Sequence, residues 1–157
     1  MSGPVHPVPL PEAVARVVAA PVGLLALGRP GCPACELLEV TLGIVAAVRP
    51  GLVVASAELD TPEEWALRES LLWPRGIRVS RASMPTLVLL RDGRAQEHRH
   101  AGGPAAQIDE WLTDHLGPGG ITLTGVSEVE RRALSDVASL RERHLELRAR
   151  RSSIPEA

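Results

Sequence analysis

Two apolar runs of strand length, VGLLALG (22–28) and LVVASAEL (52–59), flank a stretch with helical periodicity. Continuous rather than alternating hydrophobicity is the pattern of a central strand buried on both faces, and VGLLALG has it. Between the runs, Leu38, Leu42, Val45 and Val48 recur at helical spacing until Pro50–Gly51 stop the pattern. A strand, a helix and a strand in this order predict a βαβ unit with parallel strands.

The surrounding residues extend the pattern. Residues 1–10, with Pro4, Pro7 and Pro9, read as extended and mobile. PEAVARVVAA follows as a short helix, with Pro11 at its first position and Pro21 ending it. DTPEEWALRESLLW opens on a helix-start signal: Thr61 as N-cap, Pro62 at the first position and Glu64 three after the cap. A polar connection, Arg75–Ser83, leads to MPTLVLLRDGRAQEHRH, which reads as a hairpin. Its strands are Thr86–Leu90 and Ala95–His100, with an Asp92–Gly93 turn. Gly102–Gly103–Pro104 starts a last helix, with Ile108, Leu112 and His115 or Leu116 on one side and Gly117 at its close. The fold class predicted is α/β: a central mixed four-stranded sheet flanked by helices on both faces, with an antiparallel edge.

Residues 118–126 read as a linker between this unit (1–117) and a C-terminal helical extension (127–157). In the extension Ala133, Val137, Leu140, His144 and Leu147 form an apolar stripe. The stripe either docks on the main domain or pairs with a second chain, which makes a homo-oligomer one expectation. Arg148, Arg150 and Arg151 suit the negative pole of that helix. A net charge of −2 gives no reason to expect nucleic acid or an anionic membrane as partner. The first thirty residues lack a basic n-region, and Arg16 and Pro21 interrupt the apolar stretch that follows, so they do not read as a signal peptide. No run approaches the ~18 apolar residues of a membrane span. The expected location is the cytoplasm, where a lone cysteine pair is redox-active or metal-binding rather than a staple.

The only cysteines are Cys32 and Cys35, between the first apolar run and the helical pattern. A cysteine at a helix N-terminus meets unpaired backbone N–H groups and the positive end of the dipole, which favour thiolate over thiol. Pro33 fits the first helical position. Cys35, almost a turn later, is near enough to close a disulfide with Cys32. Cys32 can therefore attack a substrate disulfide as nucleophile, and Cys35 can resolve the mixed disulfide. Two other readings are a pair of small core residues and a metal site. Zinc normally takes four ligands. His98 and His100 point the same way on a strand and would complete a Cys2His2 set, but they read as two solvated residues on an edge strand.

From about Pro11 to Leu116 the chain resembles the thioredoxin family, on Cys32-Pro33-Ala34-Cys35 after an apolar strand, Met84-Pro85-Thr86 at the start of a later strand, and the Asp92–Gly93 hairpin with Gly102 beyond it. The resemblance implies a thioredoxin-like fold and thiol–disulfide exchange on protein disulfides, with no bound cofactor and with a thiol or reductase as electron donor. It implies a cis peptide bond before Pro85, facing the cysteines, and substrate contact at Met84 and Pro85, with Pro33 and Ala34 on the other side of the contact. The pattern is departed from at several places. Gly31 stands where a tryptophan is usual, Ala26 where a buried aspartate lies behind the pair, and Ser56 where its lysine partner lies. The inner dipeptide is Pro-Ala rather than Gly-Pro, and the connection before Pro85 is a few residues longer. Without that aspartate, Cys35 must lose its proton through water, Glu58 or Glu36. Trp65, Trp73 and Trp111 read as packing helices on the sheet, with Trp73 the candidate to line a substrate groove in place of the missing tryptophan. His115 and His144 read as partly buried packing residues. A rival function is a non-catalytic binding or chaperone module that uses the Met84–Pro85 groove.

Overall fold

In the computed structural model, residues 3–119 and Arg132 are described. The expected linker beyond Gly119 and the helical extension, with its apolar stripe and its arginines, lie outside the described residues, Arg132 excepted.

The helices begin where the local chemistry places them. Helix α1 covers Leu10–Val18, with Pro11 in its first turn. Strand β1 is Val22–Gly28, and α2 runs Pro33–Val48 with Cys32 as its N-cap. Strand β2 is Val53–Glu58. Helix α3, Pro62–Leu67, opens on a full capping box: the Glu64 N–H donates to Thr61 Oγ1 and the Thr61 N–H to Glu64 Oε1, each at 3.1 Å. The chain then continues through a π turn at Arg68–Leu72 and a 3-10 turn at Trp73–Arg75, and leaves it at Gly76 with φ +78°. A further 3-10 turn at Arg81–Ser83 precedes β3, Thr86–Arg91. Asp92 (φ +52°) and Gly93 (φ +79°) are both left-handed, as a two-residue turn matched to strand twist requires, and β4, Arg94–Arg99, follows. Helix α4 is Ala105–Leu116.

The sheet order is β2-β1-β3-β4, with β1 and β2 parallel and the other pairs antiparallel. Alternate residues of β1 and β3 feed two cores, one on each face. Leu25, Leu27, Val88 and Leu90 pack with Leu10, Val14, Val17 and Trp65 from α1 and α3. Leu24, Ala26, Leu87 and Leu89 pack with Leu38, Leu42 and Val45 of α2 and Ile108 and Leu112 of α4. The mixed four-stranded α/β sheet expected from the element order is therefore the one observed.

The N-terminal segment is held rather than mobile. Pro7 bridges Ser56 of β2, the Val8 N–H donates to Ser56 O and the Val5 N–H to Glu39 O, both at 2.9 Å. The outer edge of β2 would otherwise present unpaired backbone, and this segment covers part of it. Two side chains also differ from expectation. Trp73 is 40% exposed instead of packing on the sheet, and His115 is exposed, its ring edge-on to Trp111 at 5.7 Å. Among the described residues no helix is long and apolar enough to cross a membrane.

Candidate active site

The end of β1 and the start of α2 place the two sulfurs. Cys32 is extended (φ −97°, ψ 108°), as an N-cap must be, and its carbonyl accepts from the Cys35 and Glu36 N–H groups at 3.1 Å. Its Sγ accepts the same Cys35 N–H at 3.2 Å, so this amide of the helix start is shared between the Cys32 carbonyl and its sulfur. Such a bond strengthens when the acceptor carries negative charge. Both thiols are free, Cys32 buried to 7% exposure and Cys35 half-buried.

Cys35 is the contrasting member of the pair. Burial first, and then its hydrogen bond with Cys32, push its thiol up to about 12, against a smaller opposing effect from the Arg29 backbone. It therefore remains protonated at neutral pH. Gly28 makes room for it: a Cβ there would lie 3.0 Å from Cys35 Sγ and 3.1 Å from its Cβ, tight enough that Cys35 would have to shift.

The strand register shows what stands behind the pair. Ala26 is paired with Ser56, so neither an acid nor a base occupies that position. Two residues further along the same strands, Gly28 is paired with Glu58. Residues two apart share a face of a strand, and Ala26 faces α2, so Glu58 lies on the face that carries Cys35. Burial raises the carboxyl of Glu58, helped by the negative charges of Asp60, Glu36 and Glu64. Glu39 is raised as well, by burial, although His6 at 3.3 Å opposes this. The register that brings Glu58 beside Gly28 is a tertiary fact; the sequence could offer Glu58 only as one of three proton routes.

The other wall comes from the loop before β3. The Met84–Pro85 peptide is cis, and Met84 is extended at φ −79°, ψ 140°. A Cβ on Gly102 would stand 3.9 Å from both Ala34 O and Pro85 Cγ, so the Cys-Pro-Ala-Cys turn, Pro85 and the loop after β4 converge there. Thr86 Oγ1 donates to Ser83 O at 2.6 Å and contacts His100 Nδ1 at 3.2 Å, which ties this loop to the end of β4. His98 is not simply solvated either. Its Nε2 accepts the Arg78 N–H at 3.0 Å, and burial, then His100, lowers its pKa. Among the described residues no three His, Cys, Asp or Glu side chains are grouped so as to hold a metal ion.

No protein-family model matches the sequence, and no curated protein matches it. Solved structures do match. A point mutant of thioredoxin from Halobacterium salinarum NRC-1 is 22% identical, with a TM-score of 0.54 over 71% of this chain and 89% of that one. Reduced desulfothioredoxin from Desulfovibrio vulgaris Hildenborough is 19% identical, with a TM-score of 0.53 over 73% of this chain and 99% of that one. Thioredoxin from Trypanosoma brucei brucei is 16% identical, with a TM-score of 0.52 over 74% of this chain and 94% of that one. The chain has the thioredoxin fold, with a close pair of cysteines at the N-terminus of its second helix.

Proposed function

We propose that the chain is a thiol–disulfide oxidoreductase of protein disulfides, with Cys32 as the attacking sulfur and Cys35 as the resolving one. The observation that carries this reading is the asymmetry of the pair: a helix-start amide donates to Cys32 Sγ, while Cys35 is held as a thiol with a pKa pushed up to about 12. The Cys32 thiolate attacks a substrate disulfide, forms a Cys32–substrate bond and expels one substrate thiolate, which takes up a proton. Cys35 then loses its proton and attacks Cys32 Sγ. The Cys32–Cys35 disulfide forms, the second substrate sulfur leaves, and two electrons have passed to the substrate. A small thiol or a reductase returns the pair to the dithiol. Met84 and Pro85 hold the substrate chain against the turn carrying Pro33 and Ala34, and the extended backbone of Met84 suits strand-like pairing.

Insulin reduction with dithiothreitol as donor tests the reading. The wild-type chain accelerates precipitation of the insulin B chain; no acceleration would favour a binding module that uses the same groove without turnover.

The second step needs a base for Cys35, and Glu58 is the one assigned here, since it lies beside Gly28 on the face that carries Cys35. Its raised carboxyl makes it a better proton acceptor than an ordinary carboxylate, and it is ionised only above that raised value. The resolving rate therefore falls as pH drops through the Glu58 pKa. In Glu58→Gln the lifetime of the mixed disulfide is expected to lengthen on the order of 100-fold, and this acid limb to vanish. Stopped-flow mass analysis of the Cys32 adduct reads both; an unchanged lifetime returns the proton to water.

A further inference from the structure

The segment between α3 and β3 builds a cavity that the two-cysteine chemistry does not use. It has a volume of about 380 Å³ and is lined by Arg68, Trp73, Arg78, Val79, Ser80, Ser83 and His100, with no acidic residue among them. The Arg68 and Arg78 guanidiniums lie over the Trp73 ring, 6.0 and 5.6 Å from its centroid. Arg81 stands over Trp65 at 5.1 Å nearby. Arg68 is fixed further, its Nε donating to Trp65 O and its Nη1 to Val79 O at 3.1 Å. Among the described residues no carboxylate pairs with any of these three arginines.

This cavity opens beside the proposed substrate contact. Ser83 precedes Pro85 by two residues and His100 precedes Gly102 by two, and Pro85 and Gly102 are the residues that close on Ala34. Two extended residues span at most ~7 Å, so a chain lying along Met84 reaches the arginines within a few of its own residues. The opposite edge of the sheet, where Glu58 ends β2 and Asp60 follows, is acidic. A substrate segment is thus offered positive charge on one side of the cysteines and negative charge on the other.

We infer that the cavity is a specificity site for an acidic polypeptide segment, one with Asp or Glu side chains a few residues from the disulfide being exchanged. The inference deepens the oxidoreductase reading and rests on it. Guanidiniums match carboxylates in geometry as well as charge. The Trp73 face is already occupied by two of them, so the ring serves to hold the arginines rather than to stack a base. The pairing also sets orientation, because the acidic segment is repelled from the Glu58 edge.

Two disulfide-bridged fluorogenic peptides, identical except that three Glu residues in one are three Gln residues in the other, provide the test with the full chain. The kcat/KM of the Glu peptide is expected to exceed that of the Gln peptide by about five- to tenfold at low salt. The ratio shrinks towards one at high salt and falls to one or below in Arg78→Glu. A ratio near one in wild type, or one that Arg78→Glu leaves intact, overturns the inference. So does inorganic phosphate that removes the preference when chloride of equal ionic strength does not, since the site would then be for small anions. A ratio is insensitive to a general loss of folded protein. Fluorescence anisotropy of the same peptides in linear form on Cys32→Ser/Cys35→Ser measures the preference without turnover. Charge-selective binding there, with neither peptide turned over by wild type, would leave the arginine site standing and remove the enzyme. Turnover without selectivity does the reverse.

Discussion

Cys32→Ser is expected to reduce insulin no faster than dithiothreitol does alone, while Cys35→Ser accumulates protein–substrate adducts that a thiol releases. An alcohol at position 32 is far too weak an acid and nucleophile to break a disulfide near neutral pH, and the remaining sulfur, that of Cys35, is held as a thiol with its pKa pushed up to about 12. In Cys35→Ser the first attack is retained, because the atom that donates to Cys32 Sγ is the backbone N–H of residue 35 and survives the change. The displacement of the captured substrate is lost with the second thiol. Intact-mass measurement after incubation with a disulfide-bonded protein therefore shows one substrate mass added to Cys35→Ser and none to Cys32→Ser. The reverse pattern would exchange the two roles. It would fit the exposures, since Cys32 is the more buried of the two, but not the thiol at position 35 held near pKa 12. Adducts on neither variant would leave a pair of packing cysteines.

What could be read in advance was whatever is encoded locally. The capping box at Thr61 and Glu64, the Asp92–Gly93 turn and the Cys32–Pro33 helix start each involve residues within three positions of one another, and each is found as the residue types dictate. The double burial of β1 was legible too, because a strand covered on both faces leaves no polar alternation. What escaped reading depends on partners distant in the chain. The N-terminal prolines gave no periodicity, yet Pro7 and Val8 are fixed by Ser56, some fifty residues away. The stretch after α3 carries no single period, since it changes from α to π to 3-10 turns within fourteen residues, Pro62–Arg75. The arginines that hold Trp73 at the surface are spread from position 68 to 78. The candidate site divides in the same way. The cysteines and Pro85 are visible as motifs, whereas the value of Glu58 follows from a register that puts it opposite Gly28.

Asp109→Ala is expected to cost about 3–5 kcal/mol, because it strands a buried guanidinium. Arg49 caps the C-terminus of α2 and Asp109 belongs to α4; they are 8% and 7% exposed, with Arg49 Nε donating to Asp109 Oδ1 at 2.7 Å. The other nitrogens of Arg49 donate to Gly117 O at 3.0 Å, Thr113 Oγ1 at 2.8 Å and Asp109 O at 3.3 Å. Thr113 Oγ1 in turn donates to Asp109 O at 2.8 Å. The network joins the end of α2 to the last two turns of α4 and supplies a donor to the Gly117 carbonyl, just past the end of α4. Removing the carboxylate leaves the positive charge in a site that excludes water, and the penalty for that charge exceeds what the pair contributes when intact. For a chain of this size the loss corresponds to a fall in Tm of roughly 10–20 °C. Arg49→Met/Asp109→Leu separates the two quantities: with no charge left to solvate, most of the stability should return, although the Gly117 carbonyl loses its Arg49 donor and the Asp109 carbonyl keeps only that of Thr113. Arg49 lies sixteen residues along α2 from Pro33, so on the order of 24 Å of helix separates it from the sulfurs. The reactivity of Cys32 in the folded fraction is accordingly expected to stay the same in both variants. A single variant as stable as wild type in urea would mean that water reaches Arg49, and a double variant as unstable as the single one would assign the stability to the hydrogen bonds rather than to the charge.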